Sequence, residues 1–153
     1  MNLIATTVLL NLIRDSVLGT SYEIGYFRIG EGGWRTLNGA RVPRSPDPAL
    51  TDIDCLENPS RYPASRRRSY QKTLTSSDIT HTEDGVLVIA CELDLSEGND
   101  PAGADTDPPE YYEIGVFTSD DDMIYYCTFP KFEKLSDRVF RVNLTITIEN
   151  EAS

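Results

Sequence analysis

One stretch in the second half of the chain constrains the fold more than any other. Residues 110–130 have the sequence EYYEIGVFTSDDDMIYYCTFP. Two runs of aromatic and β-branched residues flank the polar segment TSDDD, a pattern that predicts a β-hairpin. Because side chains alternate across a strand, Tyr112, Ile114 and Val116 are expected to share one face. Both faces are mainly apolar, which predicts a strand covered on both sides.

Two residues are expected to interrupt the regular strands of the predicted hairpin. Gly115 interrupts the first run, and a glycine inside a strand marks either a bulge or a close approach of another backbone. Pro130 is expected to end the second run, because proline has no N–H group to donate to the sheet.

The beginning of the chain predicts a helix. Residues 2–18 have the sequence NLIATTVLLNLIRDSVL, in which Leu3, Val8, Leu12 and Ile13 fall near helical spacing. The apolar stripe is expected either to pack on the core or to bind a partner. The apolar run from Leu3 to Ile13 lacks a basic start and is too short to cross a bilayer, so we expect neither a signal peptide nor membrane insertion.

Other runs of strand-forming residues lie at 22–29, 70–80, 86–95 and 138–148. With 153 residues, the chain is most simply one domain. The order of elements predicts an α+β fold over residues 1–153, in which the N-terminal helix packs on a mostly antiparallel β-sandwich. A Pro-rich irregular insertion is expected at about residues 38–69.

Charge is distributed unevenly along the chain. The net charge is −11, which argues against nucleic acid as a general partner. Residues 1–72 hold 10 Lys and Arg against 7 Asp and Glu, whereas residues 73–153 hold 4 against 18. This asymmetry is either accidental or the mark of a subunit whose basic surface meets an acidic surface on a neighbour.

Basic side chains concentrate at the end of the Pro-rich insertion. They are Arg61, Arg66, Arg67, Arg68 and Lys72. Either they are solvated, as charged loop residues usually are, or they form a docking arm for an acidic neighbour. The second alternative makes these five residues a hypothetical assembly interface.

The sequence offers no recognisable catalytic or metal centre. His81 is the single histidine, and the chain has neither a GxSxG nor a CxxC motif. The acids at 100–107 and 120–122 lack the spacing of a calcium-binding loop. The glycines at 30–33 are not followed by Gly-Lys-Ser/Thr, so they predict a turn rather than a phosphate site. We expect no enzymatic activity, no cofactor and no bound metal.

The order of motifs resembles the N-terminal domain of phage tail-collar and tail-fibre proteins. In that family a helix precedes a Gly-rich turn, here YFRIGEGG, and a later hairpin has the form EIGLF, acidic turn and FP, here EIGVF to TFP. The similarity covers most of the chain. The residues that match the family's hairpin are Glu113, Ile114, Gly115, Phe117, Phe129 and Pro130.

The resemblance implies a structural protein of the virion tail, made in the host cytoplasm. Its expected role is attachment and assembly of a tail fibre or baseplate, in a phage or a related contractile injection system. Its expected partners are other tail, baseplate or fibre proteins, and it is expected to form a homo-oligomer or symmetric copies. Fibre proteins usually continue into a shaft, so the end at Ser153 favours an attachment or adaptor role.

A carbohydrate-binding module that recognises a host surface glycan is the alternative function. Aromatic side chains can form a stacking platform for sugars. The candidates in this sequence are Trp34, Tyr111, Tyr112, Tyr125 and Tyr126.

Overall fold

The computed structural model describes residues 2–8, 23–81 and 86–147. Within these residues the strands pair antiparallel in three sheets. The largest sheet has the order β1 (Asn2–Ala5), β9 (Met123–Glu133), β8 (Glu110–Thr118), β2 (Ile24–Gly30) and β5 (Ser69–Thr73). A three-stranded sheet has the order β10 (Phe140–Thr147), β7 (Val86–Leu93) and β6 (Ile79–His81), and β3 (Trp34–Leu37) pairs with β4 (Ala40–Pro43).

Thr7 and Val8 are helical, and the other helical segments of the described residues are single turns. The α-helical turn α1 (Asp54–Glu57) lies in the Pro-rich segment, followed by 3₁₀ turns at Pro59–Arg61 and Ala64–Arg66. A third 3₁₀ turn, Ser76–Asp78, separates β5 from β6. None of the helical segments in the described ranges has the length and apolarity needed to cross a membrane.

The helix predicted over residues 2–18 is wrong at its start. Asn2–Ala5 is a strand that pairs with β9, with Leu3 opposite Cys127. The backbone N–H of Thr6 extends this pairing by donating to the carbonyl oxygen of Ile124 at 2.9 Å. A short apolar run fits a helix or a strand equally well, and here the edge of β9 supplies partners for its backbone. The remainder of the predicted helix, residues 9–18, lies outside the described residues.

The predicted hairpin is confirmed as β8 and β9. Every residue of β8 after Glu110 is buried, as expected for a strand covered on both faces. Pro130, however, does not end the second strand, because β9 continues to Glu133. The pairing register between β8 and β9 shifts near this proline, and Pro130 is exposed, so its missing N–H group costs no ladder hydrogen bond.

The register shift also changes which residues share a face. Tyr111, not Tyr112, packs in the same core cluster as Ile114 and Val116. Gly115 marks a close approach rather than one of the shifts, since a Cβ atom placed on it would lie 2.6 Å from the sulfur of Met123. The two shifts fall on either side of it.

Two apolar clusters form the core. The first takes side chains from both larger sheets, including Ile29 and Ile114 on one and Ile89 and Leu144 on the other. The second packs the segment that follows β4 against the five-stranded sheet; its members include Trp34, Leu50, Ile53, Tyr62 and Phe117.

The three cysteines are all buried in these clusters. Cys91 and Cys127 belong to the first cluster and Cys55 to the second. The first two therefore act as the small buried apolar residues that their strand positions predict.

Candidate functional site

One of the residues that match the family hairpin, Glu113, carries a buried carboxyl group. Glu113 points from β8 toward the second core cluster and is fully buried. Its Oε1 accepts hydrogen bonds from the backbone N–H of Asp54 and from the Tyr126 hydroxyl, the latter at 2.8 Å. Its Oε2 accepts a bond from the backbone N–H of Cys55 at 3.1 Å. Glu113 thus satisfies backbone donors of the first turn of α1 that have no partner within the helix.

The Gly-rich turn at residues 30–33 packs directly against this carboxyl group. A Cβ atom on Gly32 would lie 2.3 Å from Oε2 of Glu113 and 2.5 Å from the backbone nitrogen of Cys55. Gly33 has a φ of +81°, which favours glycine. The turn therefore needs glycine for two reasons, close approach at Gly32 and backbone conformation at Gly33.

A second buried carboxylate, Asp54, lies at the start of α1. It is 1% exposed, and it accepts hydrogen bonds from the Tyr62 hydroxyl and, at 2.7 Å, from the side-chain amide of Asn58. Arg61 donates to it at 3.1 Å. The Tyr62 oxygen also accepts the backbone N–H of Gly33 at 2.9 Å, so this tyrosine connects the Gly-rich turn to Asp54.

A third buried carboxylate, Glu31, lies within the Gly-rich turn itself. The Arg68 side chain donates two hydrogen bonds to it, from Nε to Oε2 at 3.0 Å and from Nη2 to Oε1 at 2.9 Å. The backbone N–H groups of Arg68 and Glu110 donate to it at 3.1 and 2.8 Å. Arg66 approaches the same carboxylate at 3.4 Å. We refer to Glu31, Asp54 and Glu113 as the buried carboxylate cluster.

Burial sets the protonation behaviour around Glu113. Desolvation raises the pKa of Glu113 to about 7, although the bonds from Tyr126 and from two backbone N–H groups favour its charged form. Burial also raises the pKa of Tyr126, Tyr62 and Cys55 well above their ordinary values. The two hydroxyls therefore remain donors, and the thiol remains protonated and unreactive.

The buried carboxylate cluster is suited to holding the fold rather than to chemistry on a substrate. All three carboxyl groups are at most 1% exposed, so none faces solvent. Each is surrounded by donors from its own chain, as a buried charge requires. Nowhere in residues 2–8, 23–81 and 86–147 do three His, Cys, Asp or Glu residues come together as a possible metal site.

The predicted assembly residues are largely engaged within the chain. Arg66 and Arg68 pair with Glu31 and Asp107, and Arg61 pairs with Asp54. Lys72 pairs with Glu97 at 2.6 Å. Arg67 is exposed, and its Nε donates to the carbonyl oxygen of Tyr62 at 2.9 Å. Arg61 and Arg67 are exposed, whereas Arg66, Arg68 and Lys72 are half-buried.

The remaining motif residues have structural positions. Ile114 and Phe129 lie in the first core cluster, and Phe117 in the second, where its ring stacks on that of Tyr26 at 4.8 Å. Of the proposed stacking platform, Trp34, Tyr111, Tyr112 and Tyr126 are all buried. Only Tyr125 of this set is partly exposed.

Tyr125 contributes to a cavity of about 420 Å³ lined by side chains from both larger sheets. Its apolar lining includes Ile24, Leu74, Ile79 and Leu87. The polar lining consists of Glu23, Thr75, Ser76 and His81.

Sequence analysis identified Glu113 as a motif residue but missed its partners. Glu31 and Asp54 are two acids among many in the sequence, and nothing in their spacing distinguishes them. One signal was present for Glu31, an acid enclosed by glycines in GEGG. Comparisons with family models, curated proteins and solved structures found no significant match.

Proposed function

We propose that this chain is a structural component of the tail of a phage or a related contractile injection system. It acts in attachment and assembly of a tail fibre or baseplate. It is made in the host cytoplasm and incorporated into the virion tail. Its partners are other tail, baseplate or fibre proteins, and it works in symmetric copies.

The contact between the two motifs of the resemblance carries this proposal. The Gly-rich turn and the EIGVF hairpin are far apart in the sequence, yet Gly32 packs against Glu113. Short motifs match by chance when each stands alone. Motifs that depend on one another for a close buried contact are instead parts of one structural unit, which supports treating the resemblance as one of fold.

We also propose that the two larger sheets form a β-sandwich. The support is the first core cluster, to which side chains of both sheets contribute. Packing of two sheets through one shared apolar layer is the usual arrangement of such folds.

The carbohydrate-binding alternative has weaker support. A stacking platform needs aromatic faces open to a sugar, whereas four of the five candidate rings are buried. Trp34 is further covered by the guanidinium group of Arg41, 4.3 Å from its ring centroid.

Incorporation into particles tests the proposal. Particles from the host that produces this chain would be purified on a density gradient and probed with an antibody against the chain, followed by immunogold electron microscopy. We expect the chain to co-purify at constant stoichiometry and to be labelled on the tail. Intact particles that lack the chain, together with glycan-array binding by the purified protein, would favour the alternative.

Variants of accessible arginines test the proposed assembly segment. Arg67→Ser removes an exposed charge from that segment. Arg138→Ser removes an exposed charge elsewhere and serves as its matched control. We expect reduced incorporation for Arg67→Ser alone, with both variants remaining folded by circular dichroism.

A further inference from the structure

The hairpin formed by β3 and β4 projects from the rest of the described structure. Its two strands pair only with each other in the described chain. Its turn, Asn38 and Gly39, has φ angles of 51° and 80°. Residues 35–41 are all exposed, and a Cβ atom on Gly39 would meet no neighbour within 4 Å. We refer to residues 34–43 as the hairpin arm.

The two faces of the hairpin arm differ. The pairing of Trp34 with Pro43 and of Thr36 with Arg41 defines an inner face, where Arg41 stacks on Trp34 and pairs with Glu110 at 3.1 Å. The outer face presents four side chains: Arg35, Leu37, Ala40 and Val42. Leu37 is 46% exposed, and the Arg35 side chain makes no hydrogen bond or ion pair within the described chain.

Charge indicates what kind of surface the outer face would meet. Residues 32–46 contain three arginines and no acid, in a chain with a net charge of −11. Arg35 is the arginine on the outer face, and two outer faces packed on each other across a two-fold axis would bring their Arg35 side chains together, which is unfavourable. The complementary surface is therefore acidic.

Such a surface occurs at the opposite end of β8. Glu110, at the first end of β8, contacts the hairpin arm. Thr118 lies at the other end, about 27 Å away by the rise of an antiparallel strand. It begins the turn that carries Asp120, Asp121 and Asp122. These three aspartates form no ion pair within the described residues. Asp120 and Asp121 are exposed.

The turn has a defined shape. Oγ1 of Thr118 accepts the backbone N–H of Asp122 at 3.2 Å, and Oδ1 of Asp121 accepts the Tyr26 hydroxyl at 2.8 Å. The side chain of Asp120 takes no part in these bonds, so its carboxylate is available to a second molecule.

We infer that the outer face of the hairpin arm docks on the Asp120–Asp122 turn of a second copy of this chain, head to tail. Arg35 provides the charge contact and Leu37 the apolar contact. Because the two surfaces differ, the contact repeats from copy to copy and closes into a ring or continues as a stack. This inference rests on the proposed function, to which it adds a specific contact between copies.

A charge exchange tests the contact in the purified full chain by sedimentation velocity over a range of concentrations. We expect concentration-dependent association that weakens with salt. Arg35→Glu alone and Asp120→Arg alone should each weaken association about tenfold or more. Mixing the two variants should restore it, because each acidic surface then meets a basic one. Arg138→Glu changes net charge equally at another exposed site and should associate as the wild type does.

Three results would overturn the inference: a wild-type chain that stays monomeric at low salt, association unaffected by Arg35→Glu, or a mixture that fails to restore association lost in both single variants. The first result would leave the outer face to an acidic partner other than this chain, and the last would indicate that Arg35 and Asp120 do not contact each other. Circular dichroism melts would verify that each variant is folded. A monomeric chain that is nevertheless found in purified tails would refute this contact and leave the proposed function intact.

Discussion

Removing Arg68 should destabilise the protein, because this arginine forms an ion pair with buried Glu31 in the Gly-rich turn. Arg68→Met keeps the length and the apolar stem of the side chain but deletes both bonds to Glu31, at 2.9 and 3.0 Å. Glu31 is fully buried, so its charge would lose its principal counter-ion without gaining access to water. The backbone donors of Arg68 and Glu110 would remain, and so would Arg66 at 3.4 Å.

The magnitude follows from the cost of an uncompensated buried charge. Breaking a buried ion pair by removing one partner typically costs about 3–5 kcal/mol. The remaining donors and Arg66 compensate in part, which places the expected loss near the lower end, about 3 kcal/mol. A loss of that size is a large fraction of the stability of an ordinary domain.

Urea unfolding of a double-mutant cycle measures this loss. The cycle comprises wild type, Arg68→Met, Glu31→Gln and the double variant. Glu31→Gln removes the charge, so Arg68→Met should cost less in that background than in the wild type. Arg138→Met, at an exposed site, should change the free energy of unfolding by about 0.5 kcal/mol or less. Equal free energies for wild type and Arg68→Met would refute the reasoning.

Three further changes test the core and the buried carboxylate cluster. Ile114→Ala should lower the free energy of unfolding by about 2–5 kcal/mol, against about 0.5 kcal/mol or less for exposed Val139→Ala; similar urea midpoints would contradict this. Gly32→Ala should lower the free energy of unfolding by about 3 kcal/mol through overpacking. Gly39→Ala should lower it by only about 1 kcal/mol, because of its positive φ. A lower melting temperature for Gly39→Ala than for Gly32→Ala would be inconsistent with the close approach. Since burial raises the pKa of Glu113 from 4.5 to about 7, the folded protein retains a proton that the unfolded chain has lost, and stability should fall as pH rises through that window. Glu113→Gln should flatten this part of the pH profile, and an unchanged slope would show that another group is responsible.

The local sequence pattern predicted those strands whose residues have a strong preference for β structure. The β8 and β9 hairpin and strands β7 and β10 are rich in aromatic, β-branched and other apolar residues. Residues 70–80 were predicted as one strand but divide into β5 and β6, which belong to different sheets. The 3₁₀ turn between them is held by Thr75 and Asp78 in a capping box, a local signal that a strand pattern obscures.

Other elements depend on partners that local pattern does not specify. Asn2–Ala5 becomes a strand because β9 offers an edge, not because its residues require it. The hairpin arm does have a local signal, since Asn-Gly is the preferred pair for a two-residue turn. The Asn-Gly pair lies at the start of residues 38–69, and the prolines that follow it led us to expect irregular structure there.

The buried carboxylate cluster shows where sequence reasoning stops in physical terms. An acid in a strand covered on both faces must find hydrogen-bond donors, so the pattern around Glu113 already implies a structural partner. Two of its three donors, however, are the backbone N–H groups of Asp54 and Cys55. Every residue except proline carries such a donor, and no side-chain identity reveals which ones will be used. The sequence therefore predicts that Glu113 needs hydrogen-bond donors, whereas the tertiary fold determines which backbone groups supply them.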